Sequence, residues 1–111
     1  MYDGPIDLQR RRHLDIALIH KALSSQVRRD ILAWLKDPSG NFPGQTHGFE
    51  NGVCAGQIDA RTGLSQSAVS AHLRLLKHAD LVGSQKIGQW VFFYRNETTI
   101  DAFLKEMNRS L

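Results

Sequence analysis

Several features that would point to an extracellular or membrane protein are missing from this sequence. Cys54 is its single cysteine, so no disulfide can form within the chain, and we expect a reducing compartment, the cytoplasm. No apolar run approaches the roughly 20 residues that a bilayer span requires. The first residues lack the apolar core of a secretory signal. These absences predict a protein that has no membrane partner.

The composition is that of one globular domain. The chain has 111 residues, of which 41% are hydrophobic and 23% charged, and domains cluster near about 100 to 150 residues. We therefore expect residues 1–111 to form a single domain that needs no metal or disulfide to fold. Lys and Arg number 14 against 11 Asp and Glu, a net charge of +3. This mild basic excess permits a polyanionic partner, and the location of the charges must decide.

Both ends of the chain carry apolar patterns suited to dimerisation. Residues 6–23 have helical periodicity with apolar residues on two nearly opposite sides, a wider arc than the roughly 100° stripe of a helix packed on one core. The excess predicts that segment 1–23 meets the same helix of another subunit in a homodimer. Residues 97–111 predict a closing helix with one apolar stripe. The residues expected at the dimer interface are Leu14, Leu18, Ile19, Ala22, Ile100, Phe103, Leu104 and Met107.

A second helix is predicted between a serine N-cap, Ser24 or Ser25, and Asp37, because the residue before a proline is disfavoured in the helical region. The expected apolar stripe is Val27, Ile31, Trp34 and Leu35, and the side chains expected to face outward are Arg28, Arg29 and Lys36. Residues 37–52 follow as a loop rich in glycine and proline. A loop of 16 residues is long for a compact domain, and such loops are usually mobile or functional.

The middle of the chain predicts a helix-turn-helix motif followed by a β-hairpin. The expected elements are a helix near residues 54–62, a turn at Gly63-Leu64-Ser65, a longer helix over residues 66–79, and two strands, 81–87 and 89–95, that meet at Gly88. The helix-turn-helix then spans residues 53–79 and the hairpin spans residues 81–95. With the closing helix, the order is α-α-α-α-β-β-α, a mainly helical chain with one β-hairpin.

One face of the helix over residues 66–79 has the composition of a DNA reader. Val69, Leu73 and Leu76 share the side expected to be buried. The other side is small and polar near the helix start and cationic further along, with no bulky or acidic residue; it comprises Gln66, Ser67, Ser70, Ala71, Arg74 and Lys77. A helix in the major groove, about 12 Å wide, needs small residues near the bases, Gln or Ser for the base edges and cations for the phosphates. We therefore expect double-stranded DNA as partner, with Ser65 capping the helix or contacting the DNA backbone.

The hairpin places two further polar residues at its tip. Lys86 and Gln89 flank Gly88, where they could reach a phosphate or the neighbouring minor groove, as a wing does. Residues 53–95 carry five basic side chains against two acidic ones, a net charge of +3. The basic excess is thus concentrated where the DNA reader is expected. The remaining arginines, which could equally form a solvated helix face, are Arg10, Arg11, Arg12, Arg28 and Arg29.

Four stretches occur in a recognisable order. They are residues 54–58 (CAGQI), 63–77 (GLSQSAVSAHLRLLK), 79–82 (ADLV) and 86–94 (KIGQWVFFY). Together they resemble the core and wing of the ArsR/SmtB family of winged helix-turn-helix repressors. The resemblance implies a dimeric bacterial repressor, at the nucleoid in the cytoplasm, that binds an inverted repeat in its own promoter and is released by an effector. The recognition residues that it carries over are Gln66, Ser67, Ser70, Ala71 and Arg74.

The metal sites of that family do not carry over. Members that sense thiophilic metals use Cys-x-Cys, and here Cys54 has no second cysteine near it. Members that sense zinc on the last helix use Asp-x-His, and here Asp101 is followed by no histidine. His13, His20 and His47 stand apart in the sequence, whereas zinc normally recruits three or four ligands. We therefore expect no metal and no cofactor.

Three other features have two interpretations each. Cys54, at the entry to the helix-turn-helix, is either a redox sensor for oxidants or electrophiles or a buried small hydrophobic residue. His72 is expected to be packed or adjacent to a phosphate. Trp90, Phe92 and Tyr94, which alternate along a strand, either line a ligand cavity or belong to the core, and the core is the commoner role.

The leading hypothesis is a repressor released by a small-molecule or redox effector, and two alternatives remain. One is a DNA-binding regulator with no effector of its own, and the other is a winged-helix module that binds proteins. An enzyme is the weakest option, because the stretch around Ser65 lacks the final glycine of a nucleophile elbow and no phosphate-binding glycine loop or carboxylate pair stands out.

Overall fold

The computed structural model describes residues 14–111. The first part of the predicted helix over residues 6–23 lies outside the described residues, as do Arg10, Arg11, Arg12 and His13. The described elements are α1 (Ile16–Ala22), α2 (Gln26–Lys36), α3 (Pro38–Asn41), β1 (Val53–Cys54), α4 (Ala55–Thr62), α5 (Gln66–His78), β2 (Val82–Ile87), β3 (Trp90–Arg95) and α6 (Glu97–Ser110). The prediction of a mainly helical winged helix-turn-helix chain is confirmed. The short helix α3 and the strand β1 are additions that the sequence did not predict.

Helix α1 begins at Ile16, after the capping residue Asp15. Asp15 has extended backbone angles, with φ of −92° and ψ of 99°, and its side chain accepts a hydrogen bond from the backbone N–H of Leu18 at 3.1 Å. An aspartate in this conformation satisfies a backbone N–H that has no partner within the helix, and so starts a helix rather than continuing one. The prediction of a helix running through Asp15 was therefore wrong, and Leu14 precedes α1.

Helix α2 begins and ends where its capping residues predict. Ser25 accepts a hydrogen bond from the backbone N–H of Arg28, and the helix stops at Asp37, before Pro38. The prediction that Arg28 faces outward was wrong, because Arg28 is 9% exposed. The periodicity of α2 alone does not show that another helix covers this side chain.

The segment over residues 37–52 is more ordered than a loop of that composition predicts. Asp37 caps the short helix α3 by accepting a hydrogen bond from the backbone N–H of Gly40. The side chain of Phe42 is 2% exposed. Gln45 is also buried, and its amide group donates to the carbonyls of Gly48 and Gly52. The segment therefore packs on the domain through its own side chains.

The three strands form one antiparallel sheet in the order β1-β3-β2. The hairpin of β2 and β3 pairs Val82 with Arg95 at its base and Ile87 with Trp90 at its tip. Strand β1 pairs with β3 through Val53 opposite Phe93. This pairing ties the start of the helix-turn-helix to the hairpin.

The hydrophobic core holds α5 by the face that the sequence predicted. Val69, Leu73 and Leu76 are at most 4% exposed, which confirms them as the buried side. They pack in one cluster with residues of α1, α2 and α4, among them Ile19 and Ile31. Helix α5 is thus fixed on one side and open on the other. Among residues 14–111, no helix combines the length and the apolar character needed to cross a membrane.

Candidate nucleic-acid interface

The turn between α4 and α5 is shaped by its glycine and two hydroxyl groups. Gly63 ends α4 with φ of +71°, a left-handed conformation that costs glycine little and other residues more. The hydroxyl of Thr62 accepts from the backbone N–H of Leu64 at 3.1 Å. Ser65 then caps α5, accepting from the backbone N–H of Ala68 at 3.2 Å. These contacts fix the direction in which α5 leaves the turn.

The predicted reading face of α5 is a single exposed surface. The side chains predicted to meet DNA from this helix are all exposed, and they are Gln66, Ser67, Ser70, Ala71, Arg74 and Lys77. Ser65 is exposed at the helix start as well. We call these seven residues the recognition face. No described residue of the chain covers it, so it is available to a partner.

The hairpin ends in a tight two-residue turn that leaves its polar tip exposed. Gly88 has φ of +61°, as the first position of a primed hairpin turn requires. Lys86 and Gln89, on either side of it, are both exposed. The sequence therefore predicted the location of both side chains at the tip.

A groove of about 360 Å³ separates the recognition face from the hairpin. Gln66, Ser70, Arg74 and Lys77 form one wall of this groove. The other wall and the floor come from the hairpin, α4 and the buried side of α5, with Ser84, Val91, Phe93, Ala55, Asp59 and Leu73. The helix and the hairpin thus present one concave surface rather than two separate ones.

Of the five basic residues in the range 53–95, two contact side chains outside the groove. Arg61 lies 4.9 Å above the ring of Trp34. Arg95 makes two hydrogen bonds to the carboxylate of Glu97, at 2.7 and 3.1 Å, and these lower the pKa of Glu97. The remaining three cations are Arg74, Lys77 and Lys86, all exposed. The positive charge is therefore more tightly concentrated around the groove than the sequence count indicated.

An acidic residue that the sequence reasoning missed lies in the same groove. The reading face of α5 has no acid of its own, but Asp59 of α4 lines the groove together with Ser70 and Arg74. Burial raises the pKa of the Asp59 carboxyl, because a charged group loses solvation there. Only the packing of α4 against α5 reveals this neighbour, so a helical wheel of α5 gives no sign of it.

Replacing Asp59 with Asn is expected to strengthen binding to any duplex by a factor of about two to five at low salt, since it removes a repulsive charge, and by less at high salt.

The raised pKa means that ionisation of Asp59 destabilises the fold at neutral pH. The contribution of Asp59 to stability should therefore become more favourable as pH falls through that pKa, so the difference in stability between the native chain and Asp59→Asn should depend on pH. Fluorescence anisotropy at two salt concentrations and thermal unfolding against pH measure both effects. Asp101→Asn, an exposed change on α6, is the control and should alter neither.

The aromatic residues of β3 divide between core and surface. Phe92 is 5% exposed, which agrees with a core role. Trp90 and Tyr94 are 44% and 43% exposed, so the prediction of core positions was wrong for these two. The segment over residues 42–52 covers the outer side of the sheet incompletely, and His47 lies against Trp90 with ring centroids 5.2 Å apart.

Cys54 is buried, at 8% exposed, and its backbone N–H donates to Gln45. It lines a cavity of about 190 Å³ together with His47, Gln57 and Trp90. Its thiol does not cap α4. Burial agrees with the interpretation of Cys54 as a packed residue.

The residues predicted at the dimer interface fall into two groups. Ile19, Ala22 and Phe103 are 0%, 1% and 7% exposed within a single chain, so they belong to its core and not to an open surface. The apolar residues that keep exposed area are Leu14, Leu18, Ile100, Leu104 and Met107, and Leu104 is 57% exposed. We call these five residues the terminal patch. The ring of His20 lies 5.6 Å from that of Phe103, which brings α1 and α6 together.

Three of the four histidines within residues 14–111 contact other side chains, and the fourth, His78, is exposed at the end of α5. His20 and His47 contact aromatic rings, and His72 is half-buried and bonded to Arg28 at 3.0 Å. Its half-buried ring agrees with the expectation that His72 is packed or adjacent to a phosphate. Within residues 14–111 there is no group of three or more His, Cys, Asp or Glu side chains arranged to hold a metal.

Comparison with known proteins gives the same assignment as the motifs. The model of the bacterial regulatory protein, arsR family, matches residues 50–84. The uncharacterized HTH-type transcriptional regulator YbzH of Bacillus subtilis is 36% identical over 84 residues, which cover 74% of this chain and 84% of YbzH. The transcriptional activator HlyU of Vibrio cholerae is 29% identical over 108 residues, which cover 96% of this chain and 88% of HlyU.

Solved structures agree with the fold. The HlyU structure from Vibrio cholerae matches with a TM-score of 0.59 over 84% of this chain and 87% of that chain. A homodimeric winged helix-turn-helix DNA-binding domain from Mycobacterium bovis matches with a TM-score of 0.62 at 21% identity, over 99% of this chain and 87% of that one. With its helix-turn-helix, its wing and its similarity to YbzH, this chain belongs to the ArsR family of bacterial regulatory proteins, which act in transcription.

Proposed function

We propose that this protein binds a specific inverted repeat in double-stranded DNA as a homodimer and regulates transcription by doing so. The observation that carries the proposal is the recognition face, exposed along its length and bordered by a groove that ends at the wing. In this proposal α5 enters the major groove, with Gln66 and Ser70 at base edges and Ala71 where the helix backbone approaches the bases most closely. Ser67 and Arg74 add further contacts to bases.

The phosphate contacts come from the ends of the same surface. Lys77 follows Arg74 along α5, and Ser65 lies at the N-terminus of α5, where free N–H groups favour an anion. Lys86 and Gln89 would bring the wing tip to a phosphate or into the neighbouring minor groove. In this proposal the middle of the recognition face therefore reads the bases. Its two ends and the wing tip contact phosphates and fix the position of the protein on the duplex.

The homodimer in this proposal forms through the terminal patch. Leu104 exposes 57% of its surface, although a side chain of this kind gains roughly 1.5 to 3 kcal/mol from full burial. Pairing of terminal patches around a two-fold axis would present two copies of α5 to successive major grooves, about 34 Å apart. The similar Mycobacterium bovis domain is described as homodimeric, which supports the same arrangement here.

The roles of Arg74 and Lys86 can be separated by mutation. Arg74→Ala should weaken binding to the specific site by roughly 1 to 3 kcal/mol and unrelated duplexes far less, because it reads a base. Lys86→Ala should weaken all duplexes equally and lower the slope of log affinity against log salt by about two, because each of the two subunits loses one phosphate contact. Titrations of both variants on specific and scrambled duplexes over a range of salt provide the measurement.

Lys105→Ala, which removes an exposed lysine from α6, serves as the charge-matched control and should bind as the native protein does. Equal losses from Arg74→Ala on specific and scrambled DNA would contradict its assignment to a base. Binding that does not depend on salt would contradict the whole phosphate interface and would favour a winged-helix module that binds proteins.

In the proposed mode of action the bound dimer represses its own promoter and is released when Cys54 is modified or when an effector binds. The cavity beside Cys54 supports this route, since Trp90, which forms part of its wall, is the first residue of β3 and pairs with the wing tip. In this proposal a bulky adduct on Cys54 fills the cavity and displaces Trp90 or His47 from its wall. A displaced Trp90 would shift the wing tip with which it pairs. HlyU is described as an activator, so a reporter fused to the native promoter is needed to give the sign of regulation.

Alkylation of Cys54 by N-ethylmaleimide is expected to lower affinity for the specific site by about tenfold, because the adduct displaces Trp90 at the tip of the wing. The sulfur adds to one carbon of the maleimide double bond, and the other carbon takes up a proton. Burial should make the reaction slow compared with that of a free thiol. Cys54→Ser treated in the same way is the control. Unchanged affinity of fully alkylated protein would contradict the thiol route and favour a regulator without its own effector.

A further inference from the structure

The buried side chain of Arg28 joins three parts of the fold. From α2, its Nε donates to the carbonyl of Ala22 at 2.7 Å and its Nη2 donates to the carbonyl of Lys21 at 3.1 Å. Its Nη1 lies 3.0 Å from Nδ1 of His72 on α5. All three guanidinium nitrogens are therefore used, and Arg28 is 9% exposed.

In each contact of Arg28 the guanidinium can only be the hydrogen-bond donor. The carbonyls of Lys21 and Ala22 lie at the end of α1, where carbonyls without a partner inside the helix and the helix dipole favour a cation. A guanidinium has donors and no acceptor, so Nδ1 of His72 must be the acceptor and the ring proton of the neutral imidazole must lie on Nε2. A hydrogen bond from a charged donor is stronger than one between neutral groups, and burial makes an unpaired partner costly.

Arg28 connects two helices that carry two different surfaces, the terminal patch on α1 and the recognition face on α5. Lys21 and Ala22 close α1, the helix that carries Leu18 of the terminal patch. His72 follows Ala71 of the recognition face directly and points to the opposite side of α5. A shift of α1 relative to α5 must break at least one of the three contacts of Arg28, because its planar guanidinium holds all of them in a fixed geometry.

From this arrangement we propose that Arg28 is a positioning residue, which sets the orientation of α5 against α1 and so couples the dimer interface to the spacing of the two recognition helices. The inference rests on the proposed function, since it concerns how the dimer holds its DNA-reading helices. It adds a role for a residue that touches neither DNA nor the partner subunit. Arg28 acts through His72, and loss of either partner should cost site specificity while phosphate binding survives.

The neighbouring arginine provides a matched control. Arg29 donates to the carbonyl of Leu23 at 2.6 Å and to the side chain of Gln26 at 3.0 Å. It therefore binds the same turn between α1 and α2, with the same charge and side-chain length, but none of these contacts reaches α5. A change at Arg29 tests the turn alone, and a change at Arg28 tests the turn together with the link to α5.

Four variants of the full chain test the proposal: Arg28→Met, Arg29→Met, His72→Leu and His72→Asn. Arg28→Met and His72→Leu should lower affinity for the specific duplex by about tenfold or more, since a charge-assisted hydrogen bond is lost. Both should keep native affinity for a scrambled duplex and a native salt dependence. Arg29→Met should bind as the native protein does. His72→Asn should restore specific binding, because the Asn side-chain oxygen can take the place of Nδ1 as acceptor.

Three results would overturn the proposal: equal losses on specific and scrambled DNA, equal losses from Arg28→Met and Arg29→Met, or failure of His72→Asn to bind better than His72→Leu. Thermal unfolding identifies variants that fail to fold. If Arg28→Met fails to fold, the comparison of His72→Leu with His72→Asn decides.

A nitrogen NMR spectrum of His72 tests the hydrogen bond between Arg28 and His72 without DNA. It should show Nδ1 unprotonated in the native chain and a mixture of tautomers in Arg28→Met. Failure of the native chain to prefer any duplex would reject the proposed function and leave this NMR test standing.

Discussion

Replacing Ser70 with Glu is expected to lower affinity for the specific duplex by about 100-fold or more. Ser70 is exposed on the recognition face and borders the groove toward the wing. A carboxylate there would lie close to the negatively charged phosphates of the DNA. Like charges placed together in an interface cost several kcal/mol. Each subunit of the dimer contributes one such charge. Anisotropy titration with a labelled duplex measures the loss.

The fold should tolerate this change, since Glu at an exposed helix position forms helix at least as well as Ser. Ser39→Glu, at an exposed position of α3, introduces the same charge away from the groove. It should change affinity by no more than a small factor, through net charge alone. Equal losses from the two variants would mean that α5 has no special relation to DNA.

Replacing Leu104 with Glu is expected to separate the dimer into monomers and, with that, to lower affinity for the inverted repeat by about 100-fold. Leu104 is the most exposed member of the terminal patch, at 57%, and a buried unpaired charge at its centre would cost several kcal/mol. A monomer binds one half-site at a time and loses the high effective concentration of the second. Sedimentation equilibrium gives the mass and anisotropy gives the affinity.

Ala33→Glu is the control for this variant, because Ala33 is exposed on α2 and lies outside the terminal patch. It should remain dimeric and bind the repeat normally. A Leu104→Glu protein that stays dimeric with native affinity would place the subunit interface elsewhere. Thermal unfolding of both variants shows whether a loss follows from the interface or from the fold of the single chain.

Features that depend on neighbours along the chain could be predicted from the sequence. The buried and exposed sides of α5 follow from the spacing of Val69, Leu73 and Leu76, since a helix repeats every 3.6 residues. Ser65 was recognisable as a cap and Gly88 as the turn of the hairpin. Short-range signals of this kind are enough to define the recognition face and the wing tip.

Features that depend on neighbours in space could not be predicted in this way. Asp59 enters the groove only because α4 crosses α5, and Arg28 is covered only because α1 ends beside α5. Ile19 and Phe103 looked like interface residues because a helical wheel cannot distinguish a side that faces another subunit from one that faces the core of the same chain. The helical periodicity of residues 6–23 runs through Asp15 without interruption, and it gives no sign that Asp15 has an extended backbone and caps α1.

Selection of bound sequences from a pool of random double-stranded DNA tests directly whether two copies of the recognition face read one duplex. The native protein should enrich a two-fold symmetric site whose half-sites lie about one helical turn apart. Ser70→Glu, selected in parallel, should enrich nothing. Recovery of unrelated sequences by the native protein, or of the same symmetric site by both proteins, would contradict the proposed function.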